Sequence, residues 1–412
     1  MLSAEMNKQQ QKLVTSIDVG SAKTCALVAE VTENGLRYLG HGAAESRGSR
    51  KGAIVDLEKA VASVQRAVEK AEAAAGVAVE RALVGIGGGC VRGVNSRGGI
   101  SVGSRAREIT RDDVRQAVDK ARSIALPPEW QIMHLLPQEF LLDDQNSIRD
   151  PAGMLGSRLE VQVHMVTAVS SATQNVVTAL NRAGIHVDDT VFEPLASADC
   201  LLKGDERELG VCLADIGAGS TEMIVYHEGV VVHTGVIPVG GDHFTNDVAV
   251  GLRTPLSDAE KIKRSYGSAV VTRVHEDSEI EVTAVGDRPS RMMSQRFLAE
   301  ILEPRAWELF EMMRDNLRQS RALELCTAGL VLTGGGARLA NLLEVAESVM
   351  RKPVRLASPP ALSKMPPELT TPENSALVGL ALYGHRVRQN RGNGSDGLAA
   401  KLKAIFGRNG HH

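Results

Sequence analysis

Leu213-Ala214-Asp215-Ile216-Gly217-Ala218-Gly219-Ser220-Thr221-Glu222-Met223-Ile224-Val225-Tyr226 is the stretch on which the reading of this chain turns. An apolar run from Val211 to Ala214 leads into Asp215, a turn of small residues follows, and a second apolar run closes at Tyr226. That pattern predicts a β-hairpin whose bend carries no bulky side chain. Gly217 and Gly219 let the N–H groups of the turn, around Ala218, come close to an anion. Ser220 and Thr221 add hydroxyl donors. Asp215 can hold a hydrated metal ion that bridges phosphates.

The same device occurs near the N-terminus. Val14 to Val19 is a short apolar strand carrying Asp18, followed by Gly20-Ser21-Ala22-Lys23-Thr24 and a second strand from Cys25 to Val31. One such hairpin is compatible with an ordinary tight turn. Two, spaced about half a chain apart, predict duplicated domains that clamp a polyphosphate from opposite sides.

The bounds agree. At 412 residues the chain has room for two or more domains. A hydrophobic fraction of 43% and forty glycines suit an α/β protein with many tight turns. Aromatics are 3% and the net charge is −3, which argues against a base-stacking or polyanion-binding surface, so no nucleic-acid partner is expected. The five cysteines form no C-x-x-C, and three lie in or beside apolar runs, which points to buried thiols. No run of eighteen apolar residues is present.

Along the chain, strands are expected over Leu13–Val19, Cys25–Val31 and Leu36–Ala44, and a helix over Ile54–Ala75. From about Leu83 glycines and arginines break the rhythm, and 83–165 reads as a subdomain inserted between 13–82 and 166–204. Lys203–Glu208, charged and lacking apolar residues, reads as the crossing to a second domain, 205–238 and 305–385. A second insertion is expected over 239–304, with Lys261, Lys263 and Arg264 exposed. Ala328–Thr333 is a strand ending in Gly334-Gly335-Gly336, with a helix from Leu339 whose N-terminal dipole would face a ligand. Glu373–Val387 is a helix with small residues at Ala376, Gly379 and Ala381, suited to close packing on Pro194–Ala198.

Asp18–Thr24 and Asp215–Thr221 resemble the two phosphate loops of the actin-like ATPase superfamily, Leu332–Arg338 its nucleoside loop, and Glu193–Leu202 and Ala376–Gly384 its two connecting helices. The resemblance implies an α/β fold of duplicated, actin-like (ribonuclease H-like) domains flanking a nucleotide cleft, with ATP and Mg²⁺ as ligands. Asp18 and Asp215 would hold the metal through water. Gly240, Gly241, Lys263 and Arg338 would border the nucleoside. Glu193 occupies the place where the superfamily keeps a water-orienting Gln or Glu, although it also suits a cap on its own helix. ATP turnover is expected to be slow or absent.

The finer resemblance is to the FtsA family of bacterial cell-division proteins. It is carried by Asn95-Ser96-Arg97-Gly98, His134-Leu135-Leu136-Pro137-Gln138-Glu139-Phe140, Asp150-Pro151-Ala152-Gly153-Met154 and Val163-His164-Met165-Val166, with Pro238–Asp247 before the second insertion. It runs from about Leu13 to Gly384, and the His275–Ser278 link matches no pattern of that family. The resemblance implies a polymerising, peripheral protein on the cytoplasmic side of the inner membrane at the septum. Its expected partners are other copies of itself, later division proteins and the C-terminal peptide of tubulin-like FtsZ. Arg291 and Arg296, beside Met292 and Phe297, suit that acidic peptide, although a solvated face would read the same way. Two other functions fit the superfamily: a pilus-assembly ATP-binding protein with a similar first insertion, and a small-molecule kinase.

The C-terminal end completes the reading. Residues 386–397 are rich in Arg, Asn, Gly and Ser and read as a linker spanning roughly 19 Å. Over 398–409, Leu398, Leu402, Ile405 and Phe406 fall on one face of a helix, with Lys401 among the basic residues toward the other side. An apolar stripe with basic flanks suits an anionic membrane surface, and it also suits docking back on its own domain.

Overall fold

The computed structural model describes residues 12–286 and 288–392. The expected membrane residues Leu398, Lys401, Leu402, Ile405 and Phe406 lie outside the described residues. Two five-stranded sheets carry the fold. In the first, Leu13–Val19, Lys23–Thr32 and Gly35–Glu45 form an antiparallel meander, and Arg81–Ile86 and His186–Phe192 add parallel strands beyond Leu13–Val19. In the second, Val211–Ile216, Thr221–His227 and Val230–Ile237 form the meander, and Gly329–Thr333 and Val354–Leu356 add the parallel strands. The same connectivity occurs twice, so the duplication expected from the paired hairpins is present in the sheets themselves.

Each insertion builds on this frame. The first is a four-stranded sheet in the order Gln145–Ile148, Trp130–Leu142, Arg158–Val169 and Val91–Ser101. The helix Arg111–Arg122 packs on it through Ala117, Val118 and Ala121. Thr110 and Asp113 close a capping box at its start, which satisfies two amides of the first turn. The second insertion has helices Gly241–Leu252 and Leu256–Tyr266 and a small ribbon of Glu279–Val282 with Arg291–Ser294. Its core, including Phe244, Val248, Leu252 and Ile262, is continuous with that of the second sheet through Leu298, Leu302 and Phe310 of the helix Gln295–Gln319.

Most of Lys203–Glu208 lies in a short helix, Gly204–Leu209, with Glu206 holding the Lys203 amide and Arg355. Three local expectations differ. The helix expected from Leu339 begins at Leu342: Gly336–Arg338 is a tight 3₁₀ turn, and Asn341 before the helix is left-handed. Lys263 is not exposed, because its ammonium turns inward to the Gly241 carbonyl, the Thr245 hydroxyl and Glu260. The last helix, Ser375–Gly392, runs through 386–392, which composition read as linker. Val387 is buried there, Arg386 pairs with Asp199, and the Arg388 guanidinium donates to the Leu13 carbonyl, so contacts with the first domain sustain the helix.

The two halves are joined where the helices Glu193–Leu201 and Ser375–Gly392 cross. A Cβ on Gly379 would lie 2.4 Å from the Ala196 carbonyl oxygen, closer than any side chain allows. Ser16 Oγ donates to the Leu377 carbonyl at 2.8 Å and ties the crossing to the first sheet. Gly379→Ala should therefore cost about 1–3 kcal/mol, the usual range for overpacking a closed contact. Chemical denaturation compares the variant with the parent, and equal midpoints and slopes would show that the crossing has slack.

Candidate functional site

Register places the first acidic pair. Asp18 lies across from Cys25 in the first hairpin, and Asp215 across from Glu222 in the second. Cross-strand partners share a face of the sheet, so Asp215 and Glu222 face the same side. The two hairpin turns meet: a Cβ on Gly219 would sit 2.8 Å from Ser21 Oγ and 2.6 Å from the Lys51 Cα. Between them lies a cavity of about 760 Å³.

Backbone groups shape its walls. The helix Gly241–Leu252 starts against the second turn, with Gly241 N donating to the Gly217 carbonyl at 2.9 Å and Asp242 N to the Ala218 carbonyl at 2.8 Å. Those bonds fix the carbonyls on the helix side. Gly334 has φ +86, and a Cβ there would meet Asp215 Oδ1 at 2.3 Å. Only glycine lets the strand Gly329–Thr333 turn this close to the carboxylate.

The cavity is lined by Asp18, Gly20, Ser21, Lys23, Glu193, Asp215, Gly217, Ala218, Gly219 and Ser220 on the hairpin side. Gly241, Lys263, Gly334, Gly335, Gly336 and Arg338 line the far side. Gly240 packs behind, its would-be Cβ 2.6 Å from the Ala218 carbonyl. Two expected phosphate hydroxyls point elsewhere. Thr24 bonds Ser46 Oγ, and Thr221 donates to the Val239 carbonyl. Ser220 Oγ donates to Glu222 at 3.0 Å. Arg291 and Arg296 lie away from the cavity on the second insertion, where Arg291 donates to the Leu252 carbonyl and Arg296 pairs with Glu276.

Glu222 and the turn Gly85–Gly88 are site elements that motif reading missed. Glu222 Oε1 accepts from Gly88 N at 2.6 Å, so a residue of the second domain binds the first. A Cβ on Gly87 would lie 2.7 Å from both Glu193 Oε2 and Glu222 Oε2. The signal was available, since Glu222 is a lone charge in an apolar strand, seven positions after Asp215 across a tight hairpin.

Four carboxyls thus share one desolvated space. Burial pushes the Asp215 carboxyl up to about 8, helped by the charges of Glu222 and Asp18. Burial raises Asp18 to about 6, against the opposing pull of Lys23. Glu193 is pushed well above the ordinary carboxylate range by burial and then by Asp18, Glu222 and Asp215, and Glu222 is raised by burial as well. Lys23 Nζ is held by Asn374 Oδ1 at 2.7 Å. Among the described residues, no three acids, histidines or cysteines are grouped to coordinate one ion directly.

Comparison with known proteins fits this geometry. The family model "Cell division protein FtsA" matches residues 212–379, and "SHS2 domain inserted in FTSA" matches 88–167. The cell division protein FtsA of Pseudomonas aeruginosa is 42% identical over 377 residues, covering 91% of this chain and 90% of that protein. The chain belongs to the FtsA family of cell-division proteins. Its fold is actin-like. The pilus biogenesis complex PilM–PilN contains a chain superposing with a TM-score of 0.65 at 18% identity, covering 90% of this chain and 98% of that one. MreB5 of Spiroplasma citri, solved bound to ADP, gives 0.56 at 15% identity, covering 93% of this chain and all of that one. Those two likenesses concern the fold, and membership rests on the FtsA relatives. Among the described residues no helix is long and apolar enough to cross a membrane.

The raised carboxyls give this FtsA member a pH signature without any ligand. Between the ordinary aspartate value and about 8, the folded state holds the Asp215 proton more tightly than the unfolded chain does. Stability from this group is full below the unfolded value and is lost as pH rises through about 8. Asp215→Asn should therefore lose less melting temperature than the parent between about pH 6 and pH 8. Parallel melting curves in nucleotide-free, chelated buffer check this, and equal slopes would contradict the burial argument.

Proposed function

We propose that this protein binds ATP with Mg²⁺ between its two halves, polymerises, and tethers the FtsZ ring to the cytoplasmic face of the inner membrane at the septum, where it recruits later division proteins. The observation that carries the reading is the pair of opposed hairpins, with Asp18 and Asp215 on one cavity of about 760 Å³. The triphosphate lies between the turns, facing Gly20, Ser21 and Lys23 on one side and Ala218, Gly219 and Ser220 on the other. The nucleoside lies toward Gly240, Gly241, Lys263, Gly334–Gly336 and Arg338.

The donor chemistry fits a hard cation. Asp18 and Asp215 are carboxyls whose ionised form is disfavoured by burial, and a divalent cation would offset that cost. Mg²⁺ gives up its hydration shell reluctantly, so the two aspartates would hold it through water, where it would neutralise phosphate charge. Glu193 then orients a water in line with the terminal phosphate. Burial disfavours the ionised form of Glu193, which limits its use as a base and suits slow turnover.

The second insertion is the docking face for the FtsZ peptide. Met292 is 58% exposed and Phe297 40% exposed, with Val250 and Leu256 exposed on the same subdomain. Arg291 and Arg296 flank them and favour an acidic peptide. The tail carries the membrane contact through Leu398, Lys401, Leu402, Ile405 and Phe406. Four partly inserted apolar side chains supply a few kcal/mol, and each basic residue adds about 1 kcal/mol near an anionic leaflet. One such tail binds reversibly, while many on one filament bind persistently through effective concentration.

Two measurements test the reading. Asp215→Ala should weaken ATP binding in Mg²⁺ buffer at least tenfold by titration calorimetry, roughly the loss of one cation-linked contact; unchanged affinity would refute the cleft assignment. Phe406→Glu should abolish flotation with anionic liposomes while ATP binding stays at the parent's level. Full recovery of that variant in the floated fraction would refute the anchor.

A further inference from the structure

The motifs of the first insertion have no part in the cleft, yet three of their residues converge on one strand of the other domain. Val230–Ile237 is the outer strand of the second sheet, and an open sheet edge leaves backbone groups without partners. The first insertion covers this edge. Asn95 Nδ2 donates to the Val232 carbonyl at 3.3 Å, and Gln138 Nε2 donates to the Val231 carbonyl at 2.9 Å. His164 lies between the two domains, its Nδ1 2.6 Å from Asn95 Oδ1 and its Nε2 3.0 Å from Thr234 Oγ1. At the rim, Arg149 donates to the Glu228 carbonyl and pairs with Glu208.

Both strands are bent to make this contact. On the insertion, Gln162 pairs with Glu139 and Val163 with Pro137, so Gln138 is an extra, bulged residue. On the second domain, Val225 pairs with His233 and Tyr226 with Val231, so Val232 is also bulged. A bulge re-aims a side chain and frees a backbone group from the ladder. The bulged Gln138 sends its amide across to the other domain, and the carbonyl of the bulged Val232 takes the Asn95 amide. His164 and Thr234 are buried, and burial with His233 nearby pushes the His164 imidazole down to about 3, so it stays neutral and its bonds persist at physiological pH. Gly93 leaves the room they need: a Cβ there would lie 2.3 Å from Thr234 Oγ1.

We propose that the first insertion is an interdomain latch, in which Asn95, Gln138 and His164 grip the edge of the second sheet and hold the cleft closed, so that displacing this subdomain speeds nucleotide exchange. The halves cannot rotate apart about the crossing helices without breaking these bonds. The same subdomain also holds the strand that leads to the cleft, because His134 Nε2 accepts from Phe192 N at 3.0 Å, one residue before Glu193. A partner seated on the insertion would thereby act on the nucleotide without touching it. The consequence for exchange rests on the nucleotide reading; the latch itself does not.

The test uses the full chain with two sets of variants. Asn95→Ala with Gln138→Ala removes two donors, and dissociation of a fluorescent ATP analogue with Mg²⁺ should quicken by about tenfold. Gln138→Glu, nearly the same shape, turns a donor toward the carbonyl into an acceptor and should act in the same direction. Amide hydrogen exchange over 91–95 and 230–234 should rise in both. Unchanged dissociation despite raised exchange would overturn the coupling, and unchanged exchange in correctly folded variants would overturn the latch. If the parent fails to bind the analogue, the nucleotide reading falls, and the exchange data alone decide the latch.

Discussion

Four carboxyl groups that would rather be in water are held on one desolvated cavity, and much of the chain serves that constraint. Asp18, Glu193, Asp215 and Glu222 arrive from four separate strands or helix starts, two from each domain. Their mutual repulsion and lost hydration oppose closure of the halves. Burial shifts these carboxyls toward their protonated forms, which lessens the repulsion, and Glu222 takes the Gly88 amide and the Ser220 hydroxyl. The same arrangement makes the cavity receptive to positive charge, whether a hydrated cation or Lys23, which Asn374 keeps at its edge.

Holding these groups together needs backbone to approach backbone, and side chains would prevent it. Gly240 lies against the carbonyls of Gly217 and Ala218, Gly334 against Asp215, and Gly379 against Ala196. Each contact lies at a junction between elements rather than inside one. Two of these contacts shape the second domain's wall of the cleft, and the third joins the connecting helices of the two halves.

The duplicated sheets were legible because each hairpin advertises itself: apolar runs, a strand-end aspartate and a turn of small residues. The contact of the connecting helices was legible for a similar reason, since small residues at helical spacing predict close approach. What was not legible depended on register. A motif names residue types but not the face they occupy. Thr221 pairs with Ile216 and Thr24 with Val19, one step along from the acidic pairs, so both hydroxyls face away from the cavity. The same arithmetic would have delivered Glu222. Asn341 was a usable signal for the later helix start, and the helix through 386–392 was hidden because its support comes from distant residues, Asp199 and Leu13.

Edge protection explains how an insertion becomes part of the machine that carries it. The meander Val211–Ile237 must end in an outer strand, and an uncovered outer strand invites pairing with another chain. Covering it with the first insertion removes that hazard by side-chain amides rather than by a further strand. Side-chain bonds of this kind break one at a time and can re-form, whereas adding a strand would weld the two domains into one sheet. An insertion that caps the edge through Asn95, Gln138 and His164 thus leaves the domains separable. Separability is what a cleft between duplicated domains requires if its contents are ever to be exchanged.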